Sequence, residues 1–193
     1  MLGIAQHFAR IPQEDRKRTL TFFFDCRHFM PGQEKAFAKH TWPAKDPKLF
    51  DSVVAVIGVE HLGQVSVGES PEEPFGPREL PEFTSIWAIG SDLTKEIAVR
   101  AVQENTLSRT AVQTPGRPGI HGAIQPRAWG LAAGIINGST LPGFIMMGGM
   151  TAYWSTKARL NYFDPGHFVD QVATLVQITH ELMLVEPTRL RER

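Results

Sequence analysis

A chain of 193 residues with 20 basic and 20 acidic side chains carries no formal charge, so it lacks the global basic face that nucleic acid or an anionic membrane demands. That length suits one domain, 1–193, with a proper core, whereas two domains would each be small. Cys26 is the only cysteine, which excludes an internal disulfide and leaves the compartment unassigned.

Ile4, Phe8 and Ile11 recur at helical spacing and Pro12 ends the pattern, predicting a helix over 2–11. The pattern begins mid-helix, as in a domain missing upstream sequence. His7 and Arg10 interrupt it, so no cleavable signal is visible. Arg16, Lys17 and Arg18, balanced by Glu14 and Asp15, read as a solvated turn. Leu20 to Phe24 then reads as a buried strand ending abruptly in Asp25, Cys26, Arg27 and His28, with Cys26 either a small apolar filler or a reactive thiol. Met30, Pro31 and Gly32 turn the chain, a short helix fits Glu34 to Lys39, and Pro43 and Pro47 delimit a loop.

Ser52 to Val59 is a near-continuous apolar run of strand length, as expected of a strand covered on both faces, and it ends in Glu60 and His61. Residues 63–81 gather Pro and Glu and predict an exposed loop or small excursion. Phe83 to Ile89 predicts a third strand. Ser91 and Asp92 then cap a helix expected to reach about Val112, with Leu93, Ile97 and Ala101 on one stripe. Trp129 to Ile136 fits a short helix, and Leu141 to Met147 a fourth strand running into Gly148 and Gly149. The apolar stretch 131–150 contains Asn137, Ser139, Thr140 and Pro142, which argues against a membrane span. Asp164 as N-cap and Pro165 at the first position open a final helix with Phe168, Val172, Leu175, Val176, Thr179 and Met183 on one face. That assignment sends His167 and His180 to the surface. Strands alternating with helices predict an α/β domain with a mainly parallel sheet sandwiched by helices.

In such sheets ligands bind beyond the carboxyl ends of strands, which makes Asp25, Arg27, His28, Glu60 and His61 the candidate site residues. The first three form either a salt-bridged loop or a pocket in which Arg27 binds a carboxylate or phosphate bidentately. Glu60 and His61 either pair with Arg27, take backbone donors or bind metal. No Gly-x-Ser-x-Gly elbow, Gly-x-Gly-x-x-Gly turn, phosphate-binding Gly-Lys-Ser or Gly-Lys-Thr, or His-Glu-x-x-His helix is present.

The order of these landmarks, closing with Leu-Pro-Gly-Phe-Ile-Met-Met-Gly-Gly, Tyr-Trp-Ser-Thr and Phe-Asp before a long helix, resembles the carboxyl-terminal two-thirds of the zinc-dependent aminopeptidases related to glutamate carboxypeptidase and the transferrin receptor. The resemblance implies an aminopeptidase-like (phosphorylase/hydrolase-like) architecture. It also implies a site in which carboxylates bridge two zinc ions, imidazoles hold each ion, and a free Glu acts as base on metal-bound water. The family's Glu-Glu pair falls on Arg27 and His28, its later acidic ligand on Glu60, and its Tyr-His-Thr on Tyr153, Trp154 and Ser155. His121 resembles by position the family's substrate-side loop.

Arg27 stays protonated and cannot be the base, and the Trp154 indole offers no lone pair to a metal. The resemblance therefore implies a structural or interaction module without cofactor, engaging a protein partner or a second copy. The alternative is part of a metal-dependent peptidase in which His28 and Glu60 are zinc ligands and an upstream segment supplies the rest.

Overall fold

The computed structural model describes residues 1–22, 24, 47–68, 71, 75–114, 141–149 and 160–191. The fold is organised by β6 (Gly143–Gly148), whose Phe144, Ile145 and Met146 are fully buried. An apolar run with no polar alternation suits a strand packed on both faces. On one side β6 pairs in parallel with β1 (Val56–Glu60), from Val56 opposite Gly143 to Glu60 opposite Met147. On the other it pairs antiparallel with β4 (Thr84–Ile89), placing Thr84 opposite Gly148. β5 (Thr110–Gln113) joins β4 in parallel, completing a four-stranded sheet in the order β1-β6-β4-β5.

This is an α/β fold with a mixed sheet: the β1–β6 and β4–β5 pairings are parallel and the central β4–β6 pairing is antiparallel. The apolar runs locate β1 and β6 and an alternating stretch locates β4, yet such patterns report burial and not direction, so the antiparallel β4–β6 pair is invisible in them. Among the described residues α1 (Leu2–Ala9), α3 (Asp92–Glu104) and α4 (Pro165–Leu184) contribute to one core cluster with Ile86, Ala88, Phe144 and Met146 from the sheet. The alternate residues Trp87 and Ile145 form a smaller cluster with Val56, Ile89 and Met147. A short helix, α2 (Pro47–Ser52), precedes β1. No helix of the described residues is long and apolar enough to cross a membrane.

Three further expectations change. Residues 19–22 and 24 carry no regular secondary structure, so the described part of the Leu20–Phe24 stretch is not a strand. It is held another way: Arg18 donates through Nε to the Leu182 carbonyl at 3.0 Å and through Nη2 to the Val185 carbonyl, satisfying acceptors at the carboxyl end of α4. Leu20 and Phe22 then pack against the core from an irregular backbone.

α3 stops at Glu104 rather than near Val112. Asn105 Nδ2 bonds the Ala101 carbonyl at 2.9 Å, Thr106 and Arg109 take positive φ, and the chain re-emerges as β5. Segment 63–81 contains a hairpin, β2 (Val65–Gly68) against β3 (Gly76–Pro81), with a register shift between Val65 and Val67. The expected helices at 34–39 and 129–136 lie outside the described residues.

α4 begins as its sequence indicates, with Asp164 Oδ1 accepting the His167 N–H at 2.9 Å and Pro165 in the first turn. Its buried face is rotated from the apolar one, and includes His167, Gln171 and Thr174 beside Leu175, Ile178 and Leu182. Phe168 and Val172 are only partly buried. α1 docks on α4 through Phe8, 2 % exposed, whose ring lies 4.7 Å from that of His180. His7 Nε2 meets His180 Nε2 at 2.9 Å, so one ring donates and the other accepts. His180 is thus half-buried against α1 rather than a surface position.

Leu175 is fully buried and Val169, on the same helix, is 62 % exposed. Leu175→Ala should therefore cost about 2–5 kcal/mol in chemical denaturation, and Val169→Ala should stay within about 0.5 kcal/mol of the parent. Equal effects would mean that the buried face of α4 is assigned wrongly.

Candidate functional site at the carboxyl end of the sheet

Because β1 and β6 run parallel, their carboxyl ends lie side by side, and the antiparallel β4 brings its amino end to the same edge. Glu60, His61, Gly148 and Thr84 meet there, with the start of α4 above them. The link from β1 to β2 is forced close to β6. A Cβ on Gly148 would sit 2.0 Å from the His61 carbonyl oxygen, so only glycine permits this backbone approach. His61 itself adopts a positive φ of 53° to make the turn.

Beyond that turn the chain is tied to α4. The Gly63 N–H donates to Gln171 Oε1 at 2.7 Å, and the Gly63 carbonyl accepts the Asp164 N–H at 2.7 Å. Gln171 Nε2 in turn donates to Thr84 Oγ1 at 2.8 Å, and Thr84 Oγ1 lies 3.2 Å from His167 Nε2. Thr84, Gln171 and His167 are 0, 1 and 5 % exposed. The Thr84 oxygen accepts from the Gln171 amide, and its contact with His167 suits either direction of donation: the hydroxyl hydrogen to a ring protonated on Nδ1, or an Nε2–H to the hydroxyl oxygen. Burial pushes His167 below its ordinary pKa, and Asp164 and Asp170 oppose this more weakly. Burial and the neighbouring His7 lower His180 in the same direction.

Of the seven residues singled out in the sequence, Glu60 and His61 are described here and come together, with Glu60 Oε2 3.7 Å from His61 Nε2 and both side chains about nine-tenths buried. Asp25, Arg27, His28, His121 and Trp154 lie outside the described residues. Glu60 and His61 offer two ligand types, but firm zinc binding needs three or four protein ligands. Among the described residues no three His, Cys, Asp or Glu side chains converge to make such a set.

Thr84, His167 and Gln171 escape a reading by hydrophobicity, and His167 is buried rather than on the surface. Their signal is positional: His167 and Gln171 precede Leu175, Ile178 and Leu182 on one helical face, so polar residues occupy core positions. No protein-family model matches this chain, and neither a curated protein nor a solved structure does.

Two outcomes follow from the network. Thr84→Val keeps the shape but strands the Gln171 amide and the His167 nitrogen, and should cost about 1–3 kcal/mol per buried group left unsatisfied. The folded state holds His167 and His180 below the histidine value, so the unfolded chain takes up protons first as the solution is acidified. Stability is then full above about pH 6.5 and falls as the pH drops toward the lowered folded values. Thermal midpoints recorded from pH 8 to pH 5 should show this decline, and His167→Gln should make it shallower. A parent chain equally stable across that range would exclude a neutral buried His167.

Proposed function

We propose that this chain is a non-catalytic α/β domain of the zinc-exopeptidase type, in which the edge once used for metal has become structural. In this reading it serves as a structural or interaction module for a protein partner or a second copy. The observation that supports it is the use made of polar groups at the carboxyl end of the sheet. Gly63, Thr84, Gln171 and His167 bond one another in a buried chain, and these groups hold backbone segments together. A group committed to a buried hydrogen bond is costly to withdraw for a substrate. The sequence agrees with this reading, since Arg27 stands where the resemblance expects a carboxylate and Trp154 where it expects an imidazole. In the competing reading, part of a metal-dependent hydrolase, His28 and Glu60 are zinc ligands and an upstream segment supplies the rest.

Elemental analysis after dialysis against trace zinc separates the two. The proposal expects no stoichiometric zinc and no cleavage of aminoacyl-anilide substrates with zinc present. One or two equivalents of retained zinc, lost together with metal-dependent cleavage in Glu60→Ala, would overturn it.

A further inference from the structure

About 20 Å along α4 from His167, at 1.5 Å per residue, the helix meets α1 at a pair of imidazoles. His7 Nε2 stands 2.9 Å from His180 Nε2, the ring centroids are 5.2 Å apart, and the ring planes cross at 85°. Phe8 backs both rings, its centroid 5.1 Å from that of His7 and 4.7 Å from that of His180. His7 is exposed and His180 half-buried, so the facing nitrogens lie at the surface, within reach of ions in solution.

One Nε2 donates its hydrogen to the other, so a single proton holds the pair together. A metal ion can take the place of that proton. Two imidazole nitrogens bound to one ion at about 2.0–2.1 Å stand roughly 2.8–3.4 Å apart, and their ring centroids roughly 4.5–5.3 Å apart, for bond angles from about 90° to tetrahedral. The observed spacings lie within both ranges, so a small turn of each ring aims the two lone pairs at one ion while the helices keep their places. Burial and the neighbouring His7 hold His180 below its ordinary pKa, which leaves its ring neutral and able to ligate at neutral pH. Glu181, the next residue, is committed to Arg100. Among the described residues no third His, Cys, Asp or Glu joins the pair, so water completes the coordination.

We propose that His7 and His180 form a two-imidazole site for a divalent transition-metal ion, with Cu²⁺ held most tightly, and that the bound ion clips α1 to α4. Imidazole suits copper, nickel and zinc, and the affinity of a given nitrogen site peaks at copper. With both rings neutral, the donor imidazole moves its hydrogen from Nε2 to Nδ1, so both Nε2 lone pairs face the ion and no net proton is released. Two protein ligands are too few to retain zinc through dialysis, which keeps this site distinct from the metal question at the sheet end.

The test is calorimetric titration of the full chain at about pH 7.5, above the ordinary histidine value, with Cu²⁺, Zn²⁺ and Mg²⁺ in separate arms. Cu²⁺ should bind with a Kd below about 10 μM, Zn²⁺ should bind about tenfold or more weakly, and Mg²⁺, which takes oxygen ligands, should not bind. Electron paramagnetic resonance should show two imidazole nitrogens on the copper. His7→Ala and His180→Gln should each weaken copper binding about tenfold or more, because each leaves one imidazole and removes the chelate. His7 is exposed, so far-UV circular dichroism of His7→Ala should match the parent. Binding requires the docked helix, so saturating Cu²⁺ should also slow backbone hydrogen exchange over Leu2–Ala9. The proposal is overturned if Cu²⁺ binds no more tightly than Zn²⁺, if either variant binds it as well as the parent, if fewer than two imidazole nitrogens couple to the copper, or if α1 exchanges equally fast with and without it.

Discussion

The Gln171 side-chain amide is the constraint on which the arrangement of this domain's sheet end depends. Its oxygen holds the Gly63 N–H and its nitrogen holds the Thr84 hydroxyl, so one helical side chain fixes both the turn after β1 and the first residue of β4. β1 and β4 are not neighbours in the sheet, since β6 lies between them. A single amide therefore links the two strands that flank β6. The bond from the Asp164 N–H to the Gly63 carbonyl repeats that tie about two turns earlier, beside the Asp164 cap. The two Gln171 bonds are buried, so each is strengthened by its surroundings and would be expensive to leave unmade.

Apolar runs and cap residues made much of this legible in advance. The strands containing Val56 and Ile145 show up as apolar runs and the one containing Ile86 as an alternating stretch, and Asp164-Pro165 marks the start of α4 because an acceptor and a fixed φ suit a helix amino terminus. What remained illegible was set by partners distant in sequence. β5 is four residues long and exists because β4 offers it an edge, so its Ala-Val pair reads equally well as the tail of α3. The direction of β4 against β6 has no signature in either strand.

The Arg16–Phe22 segment shows the same limitation from the other side. Its apolar residues do enter the core, yet they do so from irregular backbone, because Arg18 ties the segment to the carboxyl end of α4 rather than to a sheet edge. Burial was legible there, and secondary structure was not. Glu60 and His61 were found because they follow a strand. His167 and Gln171 carry no such mark, because polar side chains ordinarily face solvent and a buried one is recognisable only once its acceptor or donor is known.

The polar groups described at this sheet edge tie the turn after β1, the start of β4 and α4 to one another. Amide hydrogen exchange at Gly63 and Asp164, recorded with and without zinc, tests this most directly. The account predicts that both amides exchange only through large-scale unfolding, unaffected by zinc, and that Gln171→Leu releases Gly63 to fast local exchange while Ile145 in β6 stays protected. Fast exchange at Gly63 in the parent chain, with Ile145 protected, or protection that appears only when zinc is added, would contradict it.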